Sequence, residues 1–181
     1  IILRLRSILG RKTGHESKVY PNFAEKEFNI PQKEIKPVKQ NLEILEGKDK
    51  KEFLKGAEIA YESILTSFAN GDLIKLKSLL TSNMFSNFSD AIKSRNKEGI
   101  TSEFTFIGVK ESSVEKYDKI ADNLFATVKF VAEVISVKKD KNNKIIEGNP
   151  DKIKFVTDSW KFTRNIKQKD LYWYLSEIIS K

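Results

Sequence analysis

The sequence has no cysteine and a single histidine, His15. The first absence excludes disulfides, thiolate catalysis and Cys-based zinc sites. The second leaves no partners for a His-built metal centre. His15 lies in a basic N-terminal stretch, so a Ser-His-Asp triad has nothing to stand on there. No metal site, no cofactor and no catalytic residue set is expected. Nowhere does a run of about 20 apolar residues occur, so no segment reads as a bilayer-spanning helix. Prolines are few: Pro21, Pro31, Pro37 and Pro150 are the four in 181 residues.

What is present suffices for a core. Hydrophobic residues make up 39%, including 12 Phe, 5 Tyr and 2 Trp. Charged residues make up 32%, and mean hydropathy is −0.44, so the surface is well solvated. The length fits one domain with an appendage. More than half of the net charge of +8 falls in residues 1–55, and the remainder is near balance. A folded nucleic-acid reader carries its excess on the body, so nucleic acid is not an expected partner. Lys138, Lys139, Lys141 and Lys144 cluster, but no stacking aromatic interleaves them. They read as a solvated turn, with a phosphate contact as the alternative.

The chain opens on Ile1 and reads as a fragment or a processed product. Ile1, Ile2, Leu3, Leu5, Ile8 and Leu9 are interleaved with Arg4 and Arg6, and Arg11 and Lys12 follow. Apolar residues giving way to arginines is the pattern of the cytoplasmic end of a spanning helix. An upstream transmembrane helix is therefore expected. The alternatives are a short interfacial helix and a plain basic tail. Residues 1–14 are the basic juxtamembrane segment, 15–50 a linker punctuated by proline, and 51–181 the folded domain.

The domain opens near Glu52 with a helix. Phe53, Ala57, Ala60, Tyr61, Ile64, Leu65 and Phe68 recur at spacings of three and four. Asn70-Gly71 ends it. Asp72 caps a second helix through Leu80, and Thr81 or Ser82 caps a third, which Gly99 stops. From Phe104 the period becomes two. Residues 123–138 form a long strand with Leu124, Ala126, Val128, Phe130, Ala132 and Val134 on one face. Residues 152–164 form a second long strand, with Val156, Asp158, Trp160 and Phe162 together. A last strand runs over 171–179. Residues 111–118 read as a polar turn with a short edge strand. Three helices followed by three or four antiparallel strands predict an α+β domain, its helices covering one face of a curved sheet. Such a cone leaves room for a pocket lined by Phe53, Tyr61, Phe130, Asp158, Trp160, Phe162 and Trp173, although aromatics so placed also make an ordinary core.

The run FLKGAEIAYESILTSFANGDLIKLKSLL (Phe53 to Leu80) resembles the opening of the Tim44-like domain. TFIGV (Thr105 to Val109), VKFVAEVIS (Val128 to Ser136), GNPDKIKFVTDSWKFTRN (Gly148 to Asn165) and WYLSEI (Trp173 to Ile178) match further parts of it in order. LRLRSILGRKTGHE (Leu3 to Glu16) resembles the bacterial members, where such a stretch follows a membrane span. The resemblance implies a nuclear-transport-factor-two-like cone. It also implies tethering or chaperoning at an inner membrane, on the cytoplasmic side in a bacterial member, without a catalytic residue set. The implied partners are the membrane, its anionic phospholipid included, and other membrane or translocation proteins. The mitochondrial member carries a long motor-binding region before this domain, which residues 10–50 are too short to reproduce. The superfold also hosts enzymes, so a small-ligand or hydrophobic-ligand binding domain, or an enzyme using the cone, is the alternative.

Two groups of residues follow as candidates. The family's first helices are linked to membrane contact, which corresponds here to the region from Lys48 to Phe68. Lys50, Lys51 and Lys55 cluster at its start. Phe53 joins the Ala57–Tyr61 face, whereas Leu54 lies off it and is the better candidate for insertion into lipid. With Arg4, Arg6, Arg11 and Lys12 these make the expected membrane contact. Asp158 and Glu133 are the acids that lie in long strands. Asp158 reads either as a general base in an apolar pocket, or as an acid satisfied by Lys161, Arg164 or a backbone amide, or facing solvent. The second reading is preferred, because no paired acid, Tyr or His stands out beside it in the sequence.

Overall fold

The computed structural model describes residues 47–169 and 172–179. Arg4, Arg6, Arg11, Lys12 and nearly all of the expected linker lie outside the described residues. Among the described residues three helices come first: α1 (Gly47–Asn70), α2 (Leu73–Leu79) and α3 (Ser82–Lys97). Five strands follow: β1 (Thr101–Ile120), β2 (Asn123–Lys139), β3 (Ile145–Gly148), β4 (Lys154–Asn165) and β5 (Tyr174–Ile179). The pairings are antiparallel in the order β1-β2-β4-β5, and β3 pairs with the end of β2. This is the expected α+β class, helices on a curved antiparallel sheet. No helix among the described residues is long and apolar enough to cross a membrane.

The buried stripe of α1 is Ala57, Tyr61, Ile64, Leu65 and Phe68, as the spacing predicts. The helix begins at Gly47, earlier than expected, because the charged residues before Phe53 are good helix formers. Gly71 closes it with φ +74°, in the left-handed region that favours glycine, and its N–H donates to the Phe68 carbonyl at 3.2 Å. The Asp72 carboxylate then accepts from the Lys75 amide at 3.0 Å and starts α2. Near the end of α3, the Arg95 guanidinium donates to the Phe68 carbonyl at 3.1 Å and lies over the Phe68 ring, 5.4 Å from its centre. The C-terminal end of α1 is thereby tied to α3.

β2 is the central strand. Its residues Leu124, Ala126, Val128, Phe130, Ala132 and Val134 are all buried, as strict alternation requires. β1 differs from the sequence reading. It is one strand of 20 residues, and the stretch 111–118 is part of it rather than a turn. Register shifts between Phe106 and Gly108, Val109 and Glu111, and Val114 and Lys116 insert extra residues into this edge strand. Each bulge resets which face a side chain points to, and that erases the period-two signal. β3 was not expected. It is four residues long, and Ile145 and Ile146 are exposed, so it shows no alternation. β5 begins at Tyr174 rather than 171.

α1 runs antiparallel to β1 along the sheet. Phe53 packs beside Tyr117, Glu58 accepts from the Ser112 hydroxyl at 2.6 Å, and Tyr61 meets Phe106 edge-on at 6.0 Å. The start of α1 therefore shares an end of the sheet with the β1–β2 turn.

Candidate functional site

The seven residues expected to line a cone do converge, and they fill it. The Tyr61 ring stacks on Phe130, centroids 4.4 Å apart and 16° between planes, and is tilted against Trp160 at 4.6 Å. Phe130 meets Phe162 edge-on at 6.4 Å. Tyr61, Phe130, Trp160 and Phe162 belong to one buried cluster that joins α1 to β2 and β4. Phe53 and Trp173, half-buried, close one end edge-to-face at 4.9 Å. This is packed-core geometry, with ring against ring at contact distance.

Asp158 sits within this cluster at 1% exposure and accepts a hydrogen bond from the Tyr61 hydroxyl at 2.7 Å, where Tyr61 is at 0%. Shared parity with Val156, Trp160 and Phe162 left an inward and a solvent-facing acid both open, and the acid is inward. Tyr61, 97 positions away in sequence, was not anticipated as its partner. A short bond of this kind satisfies a buried carboxyl oxygen and ties α1 to β4. Glu133 is occupied otherwise, paired with Lys110 at 2.9 Å across the β1–β2 ladder. In the lysine hairpin, Lys138 is buried against Glu147 at 2.9 Å and Lys139 pairs with Glu103. Asp140 accepts backbone amides of that turn. Among the described residues, an open groove of about 380 Å³ is lined by Leu80, Thr81, Ser82, Asn123, Thr163, Asn165, Gln168 and Tyr174, a mostly polar set.

The start of α1 carries the other candidates. Lys50, Lys51 and Lys55 are exposed. Leu54, expected to lie off the buried face, is half-buried and packs against the core. The reason is legible afterwards: Leu54, Ala57, Tyr61, Ile64 and Phe68 are spaced three, four, three and four, so the apolar stripe is wide enough to include both Phe53 and Leu54. Leu54 is thus committed to the fold.

Around this end lie residues that the sequence reading passed over. The β1–β2 turn follows Ile120, and Ala121 there has φ +50°. The Ile166 amide donates to the Asp122 carbonyl at 2.9 Å, and the Asn165 amide group donates to the Asn123 side-chain oxygen at 2.9 Å. The segment after β4 is thereby fixed beside the turn. Ile120, Ile166 and Tyr172 are 64%, 42% and 70% exposed. Beneath them Tyr117, Leu124 and Ala126 form a small buried cluster, packed by Phe53, Val114 and Trp173. Burial raises the pKa of the Tyr117 hydroxyl, and the nearby Arg164 charge opposes that rise.

Residues 36–180 match the sequence model of the Tim44-like domain. The chain belongs to the Tim44-like domain family. Tim44-like folds are nuclear-transport-factor-two-like, in line with the layout described above. The family groups membrane-associated, protein-transport-related domains that tether and do not catalyse. No curated protein sequence matches this member. Among solved structures, the intermembrane space region of chloroplast protein ARC6 aligns with a TM-score of 0.48 at 13% identity, over 71% of this chain and 97% of that one. A de novo designed β-sheet protein aligns with a TM-score of 0.33 at 11% identity, over 71% of this chain and 87% of the design.

Proposed function

We propose that this Tim44-like domain is a non-enzymatic tether and protein-binding module at the cytoplasmic side of an inner membrane. It contacts anionic phospholipid and holds another membrane or translocation protein near the bilayer. The observation that carries this reading is the start of α1. Lys50, Lys51 and Lys55 are exposed where the segment bearing Arg4, Arg6, Arg11 and Lys12 joins the fold. Each basic side chain near an anionic surface contributes about 1 kcal/mol, so three lysines alone give weak, salt-sensitive binding that needs a second attachment. The N-terminal arginines, with the upstream helix they imply, are that second attachment. Against a ligand-binding or catalytic cone stands the packing of Tyr61, Phe130, Trp160 and Phe162 upon one another, with Asp158 engaged by Tyr61.

The test is flotation of the 181-residue chain with vesicles of phosphatidylcholine, with and without phosphatidylglycerol. Binding is expected only with the anionic lipid, and it should weaken as salt shortens the Debye length from about 30 Å at 0.01 M to about 8 Å at 0.15 M. The triple change Lys50→Glu, Lys51→Glu and Lys55→Glu should reduce binding at least tenfold while leaving the melting temperature unchanged. Equal binding to neutral vesicles would sink the proposal.

A further inference from the structure

We infer that the end of the sheet beside the start of α1 is a membrane-inserting tip, in which Ile120, Ile166 and Tyr172 enter the interfacial layer of an anionic bilayer. The inference rests on the anionic-membrane reading above and supplies its apolar half, which Leu54 cannot provide because it packs on the core.

Three large apolar side chains stand exposed here, from the end of β1, the turn after β4 and the approach to β5. The hydrogen bonds Ile166–Asp122 and Asn165–Asn123 join two of these segments. The Phe53–Trp173 contact ties the third to the start of α1. The tip is therefore preorganised, and little conformational freedom is lost on insertion. Tyrosine is well matched to this layer, with an apolar ring and a polar end.

The charges complement an anionic surface. Lys119 and Lys169 are exposed beside the isoleucines and Tyr172, and Lys50, Lys51 and Lys55 stand on α1 above them. Among the described residues, Asp118 is paired with Lys116 and Asp122 with Lys167, each at 2.7 Å, while Asp49 and Glu52 only partly offset the α1 lysines; Asp170 lies outside the described residues. A second set of exposed apolar residues, Ile153 and Phe155 among them, lies toward the opposite end of the sheet. The 24 residues of α1 separate the two ends by roughly 36 Å. That end carries exposed Lys141, Lys144 and Lys152 of its own, but at about 0.15 M salt it lies several Debye lengths from Lys50, Lys51 and Lys55, so only the tip adjoins the α1 lysines on which the anionic-membrane reading rests.

The absence of cysteine makes the test clean. Single cysteines are introduced into the full chain as Ile120→Cys, Tyr172→Cys and, as a control, Ile74→Cys, a position 88% exposed on α2. Each is labelled with an environment-sensitive fluorophore and mixed with phosphatidylglycerol-containing vesicles. The labels at 120 and 172 are expected to shift to the blue, and the label at 74 to remain as in water. In flotation, the double change Ile120→Asp and Ile166→Asp should weaken binding about tenfold per residue, as burial of one apolar side chain predicts. Wild-type binding with no shift at 120 and no loss in the double variant overturns the tip and leaves the anionic-membrane reading standing. Failure of the wild-type chain to bind anionic vesicles at all overturns that reading, and the tip with it.

Discussion

Tyr61→Phe isolates one bond in the interior. The ring remains, so its contacts with Phe130 at 4.4 Å and Trp160 at 4.6 Å are kept. What is lost is the hydroxyl that donates to Asp158 at 2.7 Å. A buried acceptor deprived of its donor costs about 1–3 kcal/mol. Asp158 has a further interaction and is not left bare, which favours the middle of the range, about 2 kcal/mol. Tyr61→Ala removes the ring as well and should cost about 3–5 kcal/mol. The assay is urea unfolding followed by tryptophan fluorescence, since Trp160 touches Tyr61. An unchanged slope with a lower midpoint marks a loss of stability. A double-mutant cycle with Asp158→Asn should return a coupling of about 1 kcal/mol or more. Vesicle binding by the folded Tyr61→Phe chain should equal wild type. If that variant unfolds within about 0.5 kcal/mol of wild type, the typical scatter of a neutral change, the bond is not a structural tie. Intact stability together with lost binding would instead make Tyr61 and Asp158 a functional pair.

Two further substitutions test the frame around the site. At Gly148, φ is +91° and a Cβ would lie 1.9 Å from the Ser136 carbonyl oxygen, so Gly148→Ala must displace backbone. Strain of about 1–3 kcal/mol is expected, read as faster hydrogen exchange at Val137 to Lys139, the residues that pair with β3. Arg95→Ala removes the bond to the Phe68 carbonyl and the contact over its ring, and should cost about 2 kcal/mol in chemical unfolding. Arg95→Lys should recover less than half, because an ammonium lacks the planar fork that donates while stacking.

Elements with a clean local period are legible in the sequence. In β2 every second residue from Leu124 to Val134 is buried, and in α1 the stripe from Ala57 to Phe68 faces the core, because side-chain direction follows directly from backbone repeat. Where the backbone breaks its repeat, the reading failed. The three irregularities in β1 hide a strand of 20 residues behind polar side chains, and β3 is too short and too exposed to alternate. Leu54 was misplaced for a different reason: a helix covered by both sheet and neighbours buries a wider stripe than one apolar row.

The α+β class, the three helices, the two long central strands and the family resemblance are all legible in the chain before folding. They depend on the identity and spacing of residues along the chain. Folding brings Tyr61 to Asp158, packs the aromatic rings of the cone against one another, and gathers Ile120, Ile166 and Tyr172 at one end of the sheet. Those facts depend on strand register, such as Asn123 opposite Asn165, and on the fit of side chains from α1, β2 and β4. Register and packing are set by contacts between residues far apart in the chain, which no local period records.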